Sequence, residues 1–112
     1  MVCGWRRGAW SLASSGLPEL DEELMNAKRF AIVTLLYSLG PLTVSEIAKI
    51  AGLSIGDADT HLRRLREKGY VRVYKAFTDW GPRTVVELTD EGARRYRELL
   101  AKLRSLAERL EK

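Results

Sequence analysis

The chain has 112 residues, of which 46% are apolar and 30% are charged, and its formal net charge is +4. This composition is typical of one globular domain with a modest core, and it leaves no room for a separate catalytic domain. Cys3 is the only cysteine, which excludes a disulfide framework and a thiolate metal cluster. No apolar run approaches the ~18 residues of a membrane span. We therefore expect a cytoplasmic protein without membrane contact, metal or cofactor.

Charge is distributed unevenly along the chain. Residues 17–24 carry four acids and no base, whereas residues 63–83 carry seven bases against two acids, Glu67 and Asp79. A basic side of this kind suits a polyanionic partner, although charged helix faces are often merely solvated. The chain also lacks glutamine and has one asparagine, a composition similar to that of hyperthermophile proteins.

The first predicted helix follows an N-terminal arm. Residues 1–17 show no periodicity, so we predict a loose arm, with a start codon assigned too far upstream as the alternative. Pro18 suits the first turn of a helix, and the acids at 21–23 suit its positive end. Gly40-Pro41 ends this helix. Its apolar stripe is Leu20, Leu24, Ala27, Ala31, Leu35 and Leu39, widened by Phe30, Ile32 and Leu36.

Two short helices come next, and the connection between them is brief. Thr43 and Glu46 form a predicted capping box for the second helix, and Ser54 is the predicted N-cap of the third. Only residues 52–54 separate the helices, which is typical of a helix-turn-helix. The third helix, residues 54–68, should present a polar and largely basic face opposite its apolar stripe. That stripe is Ile55, Ala58, Leu62 and Leu65.

A β-hairpin and a long helix complete the chain. Alternating apolar residues and turn-forming residues predict a hairpin over residues 70–88 with a loop of about six residues. Arg72 and Lys75 are expected to point outward, and Trp80 is expected to pack back over the hairpin. Thr89 should cap a last helix at 90–110. The predicted fold is mainly α with a small β-hairpin, in the order α-α-α-β-β-α.

Two segments together resemble the winged-helix transcriptional regulators of the MarR-like and ArsR-like type, in their small archaeal and bacterial form. They are LTVSEIAKIAGLSIGDADTHLRRLREKGYVRV, laid out like a helix-turn-helix with the first wing strand, and FTDWGPRTVVELTDEGARRY, laid out like the wing and its exit. The resemblance implies that the third helix enters the major groove of DNA, that the hairpin is a wing on the backbone or minor groove, and that the chain is a homodimer. It divides the chain into the arm, a DNA-binding domain at 18–89 and a dimerisation helix at 90–112.

Twelve residues are candidates for DNA contact. Arg64 can pair with guanine through two guanidinium N–H groups, and Thr60 can reach a base edge or a phosphate. Arg83 can reach into a narrow minor groove. Thr43 and Ser54 begin helices whose backbone N–H groups can bind phosphate, although capping alone also explains both residues. The full set is Thr43, Ser54, Gly56, Asp57, Thr60, His61, Arg63, Arg64, Lys68, Arg72, Lys75 and Arg83.

Asp57 and Asp59 depart from the family pattern, in which uncharged polar residues are more usual at the start of the recognition helix. Either Asp57 reads a cytosine amino group, or both acids are helix-dipole and ion-pair partners of His61 and Arg63, four residues further on. His61 has no second histidine or nearby cysteine, so we predict a groove-side polar contact and no metal site. Cys3 is expected to be an incidental thiol.

The last helix carries a heptad-like seam, with apolar residues spaced 3, 4, 3 and 4. At ~1.5 Å per residue it is longer than the core from which it starts. We predict that it pairs with a second copy, together with the first helix, and the alternative is packing within one chain. The predicted interface is Leu20, Leu24, Tyr96, Leu99, Leu103, Leu106 and Leu110.

Two classes of function fit these patterns. The first is a homodimeric, sequence-specific regulator of transcription that binds double-stranded DNA. The second is a winged-helix protein-interaction module of the transcription machinery, since fold does not fix function. An enzyme is not expected, because the sequence has no nucleophile–base constellation and no phosphate loop. Tyr37 and Tyr96 could line an effector cleft but are expected to be core, so no small-molecule effector is indicated.

Overall fold

Four helices and a three-stranded antiparallel sheet make up the part of the chain that the structure, a computed structural model, describes, which is residues 20–111. The predicted arm and Cys3 lie outside these residues. The elements are α1 (Ala27–Leu39), β1 (Leu42–Thr43), α2 (Val44–Ala51), α3 (Ile55–Glu67), β2 (Val71–Thr78), β3 (Gly81–Leu88) and α4 (Asp90–Leu110). The predicted class and order are confirmed, and β1 is an addition to them.

The first helix begins later than predicted. Asp21 accepts hydrogen bonds from the backbone N–H groups of Glu23 at 2.9 Å and Leu24 at 3.3 Å, which stabilises a turn in place of a helix. Asn26 then caps α1 by accepting from the backbone N–H groups of Lys28 and Arg29. Short polar side chains favour such local bonds over helix interiors. The prediction of helix at residues 20–26 is therefore wrong, although Leu24 is fully buried, as its place in the stripe predicted.

The core lies between the helices and one face of the sheet. On α1 the buried apolar side chains are Ile32, Val33 and Leu36, whereas Leu39 is 59% exposed, so the stripe turns away from the predicted Leu35 and Leu39 edge. The rest of this cluster comes from the other helices, the sheet and the segments next to them: Leu24, Ile47, Leu62, Leu65, Tyr70, Val71, Val86, Tyr96 and Leu99.

The helix-turn-helix forms as predicted. Thr43 and Glu46 make both bonds of the capping box, and Ser54 caps α3 by accepting from the backbone N–H of Asp57 at 3.0 Å. Gly52 ends α2 in the left-handed conformation, with φ of 72°. On α3, Ala58, Leu62 and Leu65 are buried as predicted. Ile55 is 55% exposed, contrary to prediction, because the first residue of the helix extends past the apolar surface that covers the next turns.

The strands of the hairpin are longer and its turn is tighter than predicted. Strands β2 and β3 pair continuously from Val71↔Leu88 to Thr78↔Gly81, so the loop is two residues, Asp79 and Trp80. The Thr78 hydroxyl accepts from the backbone N–H of Trp80 and donates to the Gly81 carbonyl, and Gly81 adopts a φ of 95°. The prediction that Trp80 packs back over the hairpin is wrong. A two-residue turn leaves no strand surface for the ring to fold onto, and Trp80 is 83% exposed.

Strand β1 joins the sheet from the helix-turn-helix side. Leu42 pairs with Val86 and Thr43 pairs with Val85, which gives the strand order β1-β3-β2. Two residues are too few to show an alternating pattern, which explains why the sequence did not reveal this strand. Thr89 caps α4 by accepting from the backbone N–H of Gly92, as predicted.

Candidate nucleic-acid interface

The outer face of α3 is a continuous polar surface. Because Ala58, Leu62 and Leu65 are anchored in the core, the opposite side of this 13-residue helix faces solvent. The predicted residues on that side are all exposed: Gly56, Asp57, Thr60, Arg64, Glu67 and Lys68. At ~1.5 Å per residue the helix is about 20 Å long, a size that the major groove of B-DNA admits.

The two acids at the start of α3 have different partners. Asp59 pairs with Arg63 at 2.9 Å, which confirms the predicted pair four residues apart. Asp57 pairs with Lys28 of α1 at 3.3 Å rather than with His61. Both ion pairs are exposed, so they contribute about 0–1 kcal/mol each to stability. Their larger effect is to compensate cations beside the polar face.

Glu23 is a residue of this site that the sequence patterns did not single out. The Asp21 turn brings it against α3, where its carboxylate oxygen Oε1 lies 3.3 Å from Nη2 of Arg64. The second oxygen, Oε2, is buried without a hydrogen bond and lies 3.8 Å from Nε of Arg29. Arg64 keeps 56% of its side chain exposed, so one side of its guanidinium is held while the other faces solvent. The run of acids at 17–24 was the only sequence signal for this contact.

His61 lies toward α1 and not on the outer face. Its Nδ1 is 3.2 Å from Nη1 of Arg29, and since a guanidinium only donates, Nδ1 accepts and the ring proton resides on Nε2. Burial, followed by the positive charges of Arg29 and Lys28, lowers the pKa of His61 below its usual 6.5. The half-buried ring is therefore neutral near pH 7, and the expectation that it projects toward a groove is revised.

The basic residues of the hairpin lie on opposite faces. Successive residues of a strand alternate between faces, so Lys75 shares a face with Val71 and Val73, whereas Arg72 lies on the other with Arg83. The prediction that Arg72 and Lys75 point outward is confirmed, since both side chains are exposed. Both are exposed because the helices cover only the base of the hairpin, and Arg72 also makes an ion pair with Glu87.

The apolar seam of α4 divides into a buried and an exposed half. Tyr96 and Leu99 lie in the core of the single chain with Leu24, so their assignment to a dimer interface is revised. The Tyr96 ring is 5.0 Å from that of Tyr37 and its hydroxyl is 2.8 Å from the Thr34 hydroxyl, which confirms Tyr96 as core. Tyr37 itself is 42% exposed.

The distal half of α4 extends beyond this core. Leu20 and Leu103 pack against the core only partly, Leu106 is half-buried, and Leu110 is 74% exposed. An apolar seam thus continues along the helix after the described part of the chain has stopped covering it.

Residues 20–111 contain neither a metal-binding cluster nor a membrane-spanning helix. In this range no three His, Cys, Asp or Glu side chains group in a way that could hold a metal ion. No helix in the same range combines the length and the apolar character that crossing a bilayer requires.

Known proteins share this sequence pattern and fold. The sequence profile of the family described as "Winged helix DNA-binding domain" matches residues 28–107. A transcriptional regulator homologue from Pyrococcus horikoshii OT3 is similar in structure with a TM-score of 0.76 at 34% identity, over 82% of this chain and 91% of that chain. YusO from Bacillus subtilis shares the fold with a TM-score of 0.69 at 22% identity, over 80% of this chain and 62% of that chain.

The curated relatives are longer proteins. The DNA-binding transcriptional repressor ScoC of Bacillus subtilis (strain 168) is 33% identical over 76 residues, which are 68% of this chain and 37% of ScoC. The present chain therefore spans well under half of the length of that relative. A match over 68% of this chain must include most of the helix-turn-helix and wing, because these elements lie in the middle of the chain.

Proposed function

The chain belongs to the family of winged-helix DNA-binding domains, as the predicted resemblance to MarR-like regulators implied, and on this premise we propose that it regulates transcription by binding double-stranded DNA sequence-specifically as a homodimer. In this proposal α3 occupies the major groove, and the wing formed by β2 and β3 lies on the backbone and minor groove. The observation that carries the proposal is the outer face of α3, which is exposed, polar and anchored from behind by three buried apolar residues.

Residues on α3 would read bases, and residues around it would hold phosphates. Arg64 is the proposed base reader, because Glu23 fixes one side of its guanidinium while the exposed side stays available for two N–H bonds to guanine. Thr60 and Lys68 flank it on the same face. Phosphate contacts are assigned to the helix N-termini at Thr43 and Ser54 and to the cations of the wing, Arg72, Lys75 and Arg83.

The exposed half of the α4 seam supports the homodimer. α4 has 21 residues and is roughly 30 Å long, and its last turns carry Leu106 and Leu110 beyond the core. Pairing with the same seam of a second copy would remove this apolar surface from water. On α1, Tyr37 and Leu39 add further exposed apolar surface, at 42% and 59%.

A protein-interaction module is the second candidate. It is favoured by the ion pairs of Arg63 with Asp59 and of Lys28 with Asp57, which reduce the net positive charge at the start of α3. Such a module would form a stable complex with a protein of the transcription machinery and would show no DNA binding at low salt.

The deciding experiment selects genomic fragments with the purified protein and locates the bound site by footprinting. Binding of the selected fragments is then measured for three alanine variants. Arg64→Ala should cost about 1–3 kcal/mol on the selected site and relax preference at one position, because a base contact is lost. Lys75→Ala should weaken all sequences alike, because a phosphate contact carries no sequence information. Arg97→Ala, the same charge change on exposed α4, is the control and should leave binding unchanged. Failure of the wild-type chain to retain any fragment at low salt would refute the proposal.

A further inference from the structure

The tip of the wing carries two large aromatic side chains in water. Phe77 is 90% exposed and Trp80 is 83% exposed, the highest values among the large apolar side chains of the described residues. They belong to one hairpin end, since Phe77 is the second-last residue of β2 and Trp80 is in the turn. Exposed apolar surface of this kind, bordered by polar residues, marks a contact surface.

The tip is held in a defined shape. Phe77 pairs with Pro82 across the strands, and the Thr78 hydroxyl makes one bond to Trp80 N–H at 3.1 Å and another to the Gly81 carbonyl at 2.8 Å. A two-residue turn closed in this way fixes the backbone from which both rings project. The rings are therefore presented by a preformed edge, which lowers the entropic cost of binding.

The surroundings of the tip fit a polyanion on the α3 side. Phe77 and Lys75 share the hairpin face that packs against α3 at its base, through Val71 and Val73. Arg83 lies on the opposite face, so cations are present on both sides of the tip. The acids beside Trp80 are Asp79 of the turn and Glu46 of α2, which line the same surface pocket as Arg83. A duplex lying along the outer face of α3 would pass this tip.

We propose that Phe77 and Trp80 act as an apolar wedge, which enters the minor groove beside the α3 contact, partly unstacks one base step and bends the duplex. This inference rests on the proposed function. Apolar side chains inserted between base steps are a general means of kinking DNA toward the major groove, with the loss of stacking offset by the wider contact that the bend permits. The wedge should select a flexible pyrimidine–purine step under the wing, without any hydrogen bond to its bases.

The test compares bending with affinity. The probe is a genomic duplex that the wild-type chain selects, labelled with a dye pair at its ends to report bending and with 2-aminopurine at successive flanking positions to report unstacking. The variants are the double substitution Phe77→Ser/Trp80→Ser and the control Tyr74→Ser, a partly exposed aromatic residue further from the tip on the same strand. All three side chains are at least 40% exposed, so the variants should fold, and circular dichroism melting checks this.

The expected result is that wild-type and Tyr74→Ser proteins bend the duplex and raise 2-aminopurine fluorescence at one step. The double variant should lose both signals and on the order of tenfold in affinity, the scale of aromatic stacking on a base. Its salt dependence should stay the same, because the wedge carries no charge.

Two other outcomes would contradict the wedge proposal, and they show whether the proposed DNA-binding function fails with it. If the double variant bends the duplex like wild type while Arg64→Ala loses discrimination, DNA binding stands and the wedge is wrong. If the wild-type protein binds no duplex and the double variant changes its sedimentation or its binding to anionic phosphatidylserine vesicles, both proposals fail and the rings serve a protein or lipid contact.

Discussion

Gly92 is a single residue whose lack of a side chain allows two elements to meet. A Cβ at this position would lie 2.2 Å from the Tyr70 carbonyl oxygen and 2.8 Å from Cδ1 of Leu88. We expect Gly92→Ala to lower the free energy of unfolding by about 1–3 kcal/mol, because the start of α4 must move away from the base of the wing. Urea unfolding measures the change.

The matched control for that substitution is Gly56→Ala on the exposed side of α3, where a Cβ would meet no atom within 4 Å. There the free energy of unfolding should rise by about 0.5–1 kcal/mol, because alanine loses less backbone entropy than glycine in a helix. Equal effects of the two substitutions would contradict this account of the packing at Gly92.

His61 gives the protein a pH-dependent stability. Burial lowers the pKa of His61 in the folded state below 6.5, so as pH falls the unfolded chain binds the proton first. We expect the free energy of unfolding to be highest above about pH 7 and to decrease as pH falls below ~6.5. His61 is the only histidine, so His61→Gln should flatten this part of the profile. If the His61→Gln variant keeps the same slope between about pH 7 and pH 5.5, the slope belongs to other groups.

Tyr70 shows the opposite shift at the base of the wing. Its hydroxyl donates to Oδ2 of Asp21 at 2.5 Å. Burial, together with this bond and the charge of Asp21, raises the pKa of Tyr70 to about 12. The phenol therefore stays protonated throughout the physiological range and keeps the residues before α1 attached to the wing.

At the scale of elements, the distal half of α4 carries the prediction on assembly. The double substitution Leu106→Glu/Leu110→Glu should convert the proposed dimer into a monomer, because it places four carboxylates in the paired seam. Sedimentation at micromolar concentration measures the change. Ala101→Glu is the control, since Ala101 is exposed on the opposite side of the helix and should leave the dimer intact. A wild-type protein that sediments as a monomer would contradict the dimer itself.

The elements also show which features a sequence can and cannot predict. The caps at Thr43, Ser54 and Thr89 were predictable because each bond joins residues three positions apart. The start of α1 was not, because the side chains of Asp21 and Asn26 compete with the helix for the same backbone N–H groups. Strand β1 depends on pairing with β3, far away in the sequence.

The candidate site was predictable only where it depends on residues that are close together in the sequence. The exposed side of α3 follows from helical periodicity, which the buried Ala58, Leu62 and Leu65 fix. The contacts of Glu23 with Arg64 and of Arg29 with His61 join residues 41 and 32 positions apart, and no local pattern encodes them. The exposure of Arg72 and Lys75 was predicted, whereas the regular pairing that places them on opposite faces of the hairpin was not.

At the scale of the whole molecule, two-fold symmetry would double each contact. In the proposed dimer, log K should fall linearly with log salt concentration at about −0.9 per phosphate contact. Lys75→Ala should therefore reduce the slope by roughly 2, and a monomer would lose only about half of that. Binding measured across a salt series tests this slope. The control is the Phe77→Ser/Trp80→Ser variant, which changes no charge and should keep the wild-type slope. Footprints should form an imperfect palindrome with half-sites ~10 bp apart, centre to centre.

The pairing of β1 with β3 links the helix-turn-helix to the wing. Through Leu42 and Thr43 the helix-turn-helix is hydrogen-bonded into the same sheet as the wing, and the Thr89 hydroxyl donates to the Gly69 carbonyl at the wing's base. The wing and the helix-turn-helix are therefore connected through one sheet. An inserted base pair would shift one contact point by ~3.4 Å along the duplex and rotate it about the axis. We therefore expect the DNA site in the proposed function to be specified by the spacing between these two contact points as well as by its base sequence.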